Sequence, residues 1–359
     1  MKNQEIKFKS KNHSYSIIIG KNSINLLPKK VKLLCPKSRN IAFIIDKNVP
    51  TKFKTDLKKK LKNYNLFFLS FSANEKNKSF NSVNYYLKIL LSKNFNRSDL
   101  IISVGGGITG DVVGFVASIF KRGINFINIP TTLLAQVDSA IGGKTGIDLK
   151  GIKNIIGTFQ FAKLVLIDIE FLNSLSKKQI AAGYAEMSKH SLIDKNHEWE
   201  KISKINSLED INPEMIYKSI NIKVNIIESD PMESNIRKHL NFGHTLGHAI
   251  ETYLLGFERE ILHGEAIAIG LILETYISHL KINFDLKITK EIKNHIDQHY
   301  EIIEFSEESI RKIIDLLKYD KKNNNDEPMF VLLNNVGEMK INQPVEIELI
   351  KEAFKFYQN

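Results

Sequence analysis

The chain of 359 residues has almost no cysteine; Cys35 is the only one. A single thiol excludes an internal disulfide and a cysteine-built zinc cage. It points to a reducing compartment and leaves histidine, aspartate or glutamate to hold any metal. No run approaches 18 uninterrupted apolar residues, so no membrane span is expected. The opening MKNQEIKFKSKNHSYS is polar and lysine-rich and lacks the apolar segment of a secretory leader, so the expected location is cytoplasmic. Internal repeats are absent, and the one low-complexity patch, KKNNND at 321–326, reads as a mobile loop. Concentrated charge is missing too. The net charge of +11 comes from lysines scattered beside asparagine and isoleucine, as in FKTDLKKKLKNYN. No recognition-helix motif or RNP-type aromatic pattern accompanies them, which argues against a nucleic-acid partner and leaves a small molecule as the expected one.

What is present is the make-up of a globular protein, 43% hydrophobic and 25% charged, in a chain long enough for two cores. The first half alternates short apolar runs with helix-compatible stretches. The runs are SIIIG (16–20), NIAFIID (40–46), NLFFLS (65–70), DLIISVGGG (99–107), INFINIP (124–130) and KLVLID (163–168). Such alternation predicts an α/β domain with a parallel sheet. Beyond about residue 175 the patterns lengthen into helices, as in GEAIAIGLILETYISHL, and one more strand is expected at MFVLL (329–333). The expected domains are therefore 1–175, α/β, and 176–359, mostly α-helical.

Three stretches carry chemistry. LIISV runs into GGGITGD, placing Gly105, Gly107 and Gly110 where a strand hands over to a helix. Glycines there let a backbone approach a pyrophosphate, and the helix N-terminus can hold its charge. No acidic residue follows about 20 positions later, and Asp46, closing NIAFIID, is the better ribose candidate; a tight structural turn is the alternative. GGKTG invites a phosphate-loop reading, but Asp138 stands where the first glycine is required. What remains is the glycine-flanked Lys144, followed by Lys153 and Asn154, either a clamp for anionic groups or ordinary surface lysines. In NFGHTLGHAIE, His244 and His248 are four positions apart, one helical turn, and so share a face that can address a metal, a substrate or the core. His263 heads the next apolar helix. Glu186 sits among Ala181, Ala182, Gly183 and Ala185, either packed against something cationic or facing solvent.

The ordered set GGGITGD, KRGINFINIPTTLLAQVDSAIGGKTGID, GIKNIIGTF, GYAEMSKH, RKHLNFGHTLGHAIE and LHGEA resembles the 3-dehydroquinate synthase family of sugar-phosphate cyclases. The likeness covers most of the chain at matching distances and is specific in combination. It implies an N-terminal NAD-binding α/β domain and a mostly helical metal-binding C-terminal domain. The implied reaction converts the seven-carbon phosphate DAHP to 3-dehydroquinate with loss of phosphate, in the shikimate route to aromatic compounds. It uses catalytic NAD and one divalent metal, zinc or cobalt, in a homodimer. Rival readings are another sugar-phosphate cyclase, or a metal-dependent polyol or glycerol-phosphate dehydrogenase that releases NADH.

Residue by residue, the resemblance implies Glu186, His244 and His263 as metal ligands, with His248 contacting substrate and assisting proton transfer. NAD would meet Asp46, Glu75 and Lys78, then Gly107, Ile108, Thr109, Gly110 and Asp111 of the glycine turn. Thr131 and Thr132, the segment Phe171, Leu172, Asn173 and Ser174, and the lysines Lys144 and Lys153 would complete its surroundings. Substrate would be gripped by Lys144, Lys153, Asn154, Lys189, Lys223, Arg237 and Asn241, joined by Lys322 from the loop. Asp138 would support the cofactor and substrate, and Arg122 would reach a phosphate across the dimer interface. Three positions depart from the family pattern: Ser174 replaces an expected threonine, Gln179 an expected glutamate, and His190 an aromatic, the last read as a packing variation.

Overall fold

The structure, a computed structural model, describes residues 3–10, 13–150, 152–255, 261–317 and 328–359. Lys322 and the KKNNND stretch lie outside the described residues. The chain divides into two compact units, Met1–Leu175 and Ser176–Asn359.

The first unit runs β1 (Gln4–Lys9), β2 (Ser14–Gly20), α1 (Leu27–Leu34), β3 (Asn40–Asp46), α2 (Thr51–Lys60), β4 (Asn65–Phe71) and α3 (Phe80–Ser92). It continues with β5 (Leu100–Gly105), α4 (Gly107–Ile119), β6 (Asn125–Pro130), the hairpin β7 (Lys144–Leu149) and β8 (Ile152–Phe159), and β9 (Leu164–Asp168). Seven strands form one sheet in the order β1-β2-β9-β6-β5-β3-β4. All neighbours pair in parallel except β1, which runs antiparallel to β2. The central strands read as unbroken apolar runs because both of their faces are buried. On one face Ile41, Phe43 and Ile45 of β3 and Leu100, Ile102 and Val104 of β5 join Leu27, Val31 and Leu57 from α1 and α2 in one core.

Six strands coincide with the apolar runs of the sequence. β1 does not, because only Ile6 and Phe8 of QEIKFK are buried and lysines and glutamate occupy the alternate positions. This is the pattern of an edge strand, half solvated. From Lys144 on, the GGKTG region enters a strand hairpin, β7 with β8, which the apolar runs of the sequence did not mark.

The second unit contains α5 (Lys177–Ile193), α6 (Trp199–Ile202), α7 (Pro213–Ser229), α8 (His244–Leu254), α9 (His263–Ile282), α10 (Leu286–Asp297) and α11 (Glu307–Leu317). The antiparallel pair β10 (Met329–Asn335) and β11 (Glu338–Pro344) and the last helix, α12 (Ile347–Gln358), complete it. MFVLL thus lies in a strand, with β11 as an unforeseen partner. Helix α9 is buried along most of its length and is the central element of this unit, against which α5, α8, α10 and α12 pack. No helix among the described residues is long and apolar enough to cross a membrane.

Candidate active site

In the first unit the chain order reverses at β3, which pairs with β4 on one side and β5 on the other. In open parallel sheets ligands bind outside the carboxyl ends of the strands at such a switch point. Two sequence candidates sit there. Asp46 closes β3 and Gly105 closes β5, with Ile45 and Val104 directly paired just before them. Helix α4 begins at Gly107, so its first amides open the crevice with the positive end of a helix dipole. Asp46 is 8% exposed and takes a hydrogen bond from Asn48 N at 2.8 Å; burial raises its pKa against that donor. Ser139 Oγ, beside Gly107, and Glu75 Oε2 are buried with no hydrogen-bond partner among the described residues. A polar ligand satisfies such groups, so the donor set fits a dinucleotide.

The other candidates around this turn have local tasks as well. Thr109 is fully buried, packed beneath Gly105, so only its place in the turn is available to a ligand. Thr131 N donates to Gly105 O at 2.9 Å, and Thr132 Oγ1 accepts from Ala135 N at 3.2 Å, anchoring the turn that carries Asp138. Ile108, Gly110 and Asp111 lie in the first turns of α4. Phe171, Leu172, Asn173 and Ser174 form a 3-10 turn after β9, with Phe171 edge-on to Phe53 at 5.4 Å and Ser174 Oγ donating to Phe171 O at 2.8 Å. Arg122 is exposed in the left-handed turn after α4.

Lys78 is the centre of a polar cluster. Its Nζ lies 2.7 Å from Asp111 Oδ2 and donates to Asn154 Oδ1, and Lys153 Nζ lies 3.0 Å from Glu75 Oε1. Burial would lower the Lys78 pKa, but Asp111, Glu75 and Asp148 outweigh it and raise it, so this ammonium stays charged. Asp148, which the sequence reading missed, accepts from Asn154 N at 2.7 Å and holds Asn154 in its left-handed backbone conformation. Lys144 opens β7.

In the second unit three helices bring ionisable groups to one point. Glu186 is fully buried on α5, and the small residues around it are the reason: α5 and α9 touch backbone to backbone, and a Cβ on Gly264 would overlap the carbonyl of Ala182. His244 is the first residue of α8 and His263 the first of α9. Their Nε2 atoms lie 3.4 and 3.7 Å from Glu186 Oε1. Each Nδ1 has its own acceptor, Phe242 O at 3.1 Å for His244 and Glu251 Oε2 at 3.1 Å for His263. Lys189 Nζ pairs with Glu186 Oε2. The glutamate among small residues is therefore packed beside cationic and imidazole groups, away from solvent.

The charges around Glu186 bear on whether a metal fits. Burial would raise the Glu186 pKa, but the Lys189 ammonium and His244 hold it well below the usual carboxylate range. Burial and the same ammonium keep His244 below the usual histidine range. Burial also acts to lower His263, yet Glu186 and Glu251 outweigh it and push it up to about 10. Because Phe242 O can only accept, the neutral His244 carries its proton on Nδ1, and its Nε2 lone pair faces a carboxylate oxygen. Neither Glu186 oxygen has a well-formed hydrogen bond among the described residues. A buried carboxylate facing an imidazole lone pair, with both imidazoles oriented through Nδ1 by outer acceptors, fits a divalent cation held by Glu186, His244 and His263. Such a cation has to displace the His263 proton.

His248 stands one turn along α8, edge-on to His244 at 5.1 Å, and is exposed. Its ring nitrogens also come within 4.8 Å of ligand atoms on His244 and His263, so spacing alone admits it as a ligand. Burial separates the two: Glu186 is fully buried with no well-formed hydrogen bond to either oxygen among the described residues, whereas His248 is exposed and can be solvated.

Of the remaining candidates, Lys189, Lys223 and Arg237 are buried, at 1%, 6% and 2% exposure. Arg237 lies in the turn Ile236–Asn241, and Asp230 organises this segment by accepting from Ser234 N, Asn235 N and Arg237 N at 2.6–3.1 Å. Asn241 Nδ2 donates to Glu233 Oε1 at 3.0 Å. His190 bonds Ser219 Oγ at 2.8 Å and ties α5 to α7, a packing role. Gln179 occupies the third position of α5, where its backbone N–H is capped by Ser176 Oγ at 3.3 Å. Glutamine and glutamate serve equally at that place in a capping box.

The sequence reading missed Glu251 and Glu274 altogether. Glu251 falls seven positions after His244 on the same helical face, a visible signal. Glu274 is fully buried within the apolar run of α9, where a lone carboxylate is itself a signal.

Comparison with known proteins gives the family. Residues 68–182 match the family described as 3-dehydroquinate synthase N-terminal, and residues 183–323 match 3-dehydroquinate synthase C-terminal. The 3-dehydroquinate synthase of Pelagibacter ubique is 41% identical over 344 residues, 93% of each chain. Among solved structures, a 2-deoxy-scyllo-inosose synthase complexed with carbaglucose-6-phosphate, NAD+ and Co2+ is similar with a TM-score of 0.88 at 26% identity, covering 98% of this chain and 100% of that one. The 2-epi-5-epi-valiolone synthase of Streptomyces hygroscopicus, with NAD+ and Zn2+ bound, shares the fold at a TM-score of 0.80 and 21% identity, covering 98% of both chains.

Proposed function

The chain belongs to the 3-dehydroquinate synthase family, and on that premise we propose that it converts DAHP to 3-dehydroquinate and phosphate with NAD and one divalent cation, zinc or cobalt. The observation that carries the metal assignment is the convergence of the His244 and His263 Nε2 atoms on the buried Glu186 carboxylate. Bound NAD supplies reversible oxidation of one hydroxyl, which acidifies the neighbouring C–H, and the cation supplies Lewis-acid help to that hydroxyl.

The chain's own residues bind and orient. In the first unit Asp46, Glu75 and the amides opening α4 are assigned to the dinucleotide, and Lys78 keeps Asp111 and Asn154 in place beside them. Lys144, Lys153 and Asn154 are assigned to anionic and hydroxyl groups of the substrate. In the second unit Arg237 is assigned to the carboxylate, because its guanidinium offers a fixed fork of donors that lysine lacks. Asn241, Lys189 and Lys223 add donors, and His248, exposed beside His244, moves a proton at its ring nitrogen. Substrate-assigned side chains so rich in cations and poor in bases suit a substrate whose own phosphate takes the proton during elimination. Arg122 is assigned to a phosphate of a second protomer, which makes the working form a homodimer, and the cytoplasm is the assigned location.

Substrate choice tests this reading. With DAHP and sedoheptulose 7-phosphate assayed separately, kcat/KM is expected to favour DAHP by at least about 100-fold, the scale of leaving one buried charged donor without its partner. Equal turnover of the two would mean a different cyclase.

A further inference from the structure

Helix α8 begins without a cap of its own. Its N-cap residue is Gly243, at φ +77°, a conformation that side chains rarely adopt; a Cβ there would crowd Leu271, at 2.8 Å from Cδ2 and 3.2 Å from the backbone N, and a Cβ on Gly270 would overlap the Gly243 carbonyl. The close crossing of α8 and α9 therefore requires a residue that cannot supply a capping oxygen.

The missing cap comes from α9. Glu274 Oε2 accepts from Gly243 N at 2.7 Å, and Oε1 accepts from Leu246 N at 3.0 Å. These are the N-cap and third-residue amides, the two that a capping box satisfies from within one helix. Both bonds straddle His244, the first residue of the helix. Glu274 is fully buried. The helical pair is reciprocal, because Glu251 of α8 accepts from His263 at the start of α9 at 3.1 Å. Each helix thus sends one buried glutamate to the start of the other, where the histidine facing Glu186 stands. Glu251 orients a ring, and Glu274 fixes the backbone from which a ring projects.

We propose that Glu274 is a positioning residue for the metal centre, holding the start of α8 so that His244 is aimed at Glu186 before a cation arrives. This rests on the reading of His244 as a ligand. The geometry demands two acceptor oxygens. Glutamine keeps the volume but sets an NH2 against a backbone N–H, while aspartate keeps both oxygens and withdraws them by one methylene.

The test measures Co2+ affinity by chelator competition and the visible absorption of bound Co2+ in the full-length protein. Glu274→Gln is expected to weaken binding by about 10–100-fold, the usual scale for outer-shell partners, and to alter the cobalt spectrum. Ile350→Ala removes a fully buried side chain of α12, a helix that packs against α9, so it is expected to destabilise the same helical unit and to leave affinity and spectrum at the parent values. If Glu274→Gln does not fold, Glu274→Asp is measured in its place with the same expected loss. Parent-like affinity and spectrum in the folded Glu274 variant overturn the proposal, as does an equal loss in Ile350→Ala. His244→Ala separates the two readings. If it binds Co2+ like the parent, the ligand assignment has failed, whereas if it loses Co2+ while Glu274→Gln retains it, only the positioning role has failed.

Discussion

His244→Ala is expected to lose the metal and, with it, at least about 10³-fold in turnover, since Lewis-acid stabilisation of a developing charge is worth several kcal/mol. His263→Ala is expected to do the same. The first unit has its own core, and the helices of the second bury long apolar faces apart from these rings, so both variants are expected to retain the circular dichroism of the parent. His248→Ala provides the contrast. Its exposed ring serves substrate in this account, so the variant is expected to keep a full complement of metal while losing about 10²–10⁴-fold in rate, the range for a general acid–base group. Elemental analysis of the three variants decides whether Glu186 or His248 completes the site with His244 and His263. Full occupancy in His244→Ala or His263→Ala removes the assignment, and an empty His248→Ala makes His248 a ligand.

How much of this was legible beforehand depended on whether the determining contact was local. The His-x-x-x-His spacing was readable because helical period alone puts both rings on one face, and α8 does run through both. Parallel-sheet architecture was readable because strands buried on two faces leave unbroken apolar runs. The roles of Glu251 and Glu274 were not, since each depends on where one helix crosses another, and nothing local in α9 says that its carboxylate reaches the amides of α8. β7 and β8 were obscured for a related reason: glycines and lysines in GGKTGIDLKGIKNIIGTF dominate the local signal, while the strand character comes from pairing across the hairpin. Glu186 was ambiguous until packing supplied its neighbours, because small residues around a carboxylate mark a close helix contact without saying what fills the other side.

Arg237→Ala is expected to lower kcat/KM for DAHP by about 2–5 kcal/mol in transition-state binding, or roughly 30-fold to several thousand-fold. The magnitude follows from burial. Arg237 is 2% exposed, so a substrate carboxylate paired with it is desolvated, and truncation leaves that charge without its fork of donors. The variant loses the Nη1 donor to Pro231 O, but Asp230 still grips the Arg237 backbone at 3.1 Å and the preceding amides, so the loop is expected to keep its course. Arg237→Lys keeps the charge and loses the bidentate geometry, and is expected to recover only part of the loss. Metal content should remain at the parent level. A variant that turns over DAHP like the parent shows that the carboxylate is held elsewhere.

The defining property of such a cyclase is regeneration of its nicotinamide within each turnover. Its most direct measurement follows phosphate release from DAHP with NAD far below the substrate concentration, while NADH absorbance is recorded in the same cuvette. Many phosphates released per NAD, 3-dehydroquinate as the carbon product and no steady rise in NADH are expected. Phosphate release that stops at one equivalent of NAD, or NADH accumulating in step with substrate consumed, would contradict it and identify a dehydrogenase.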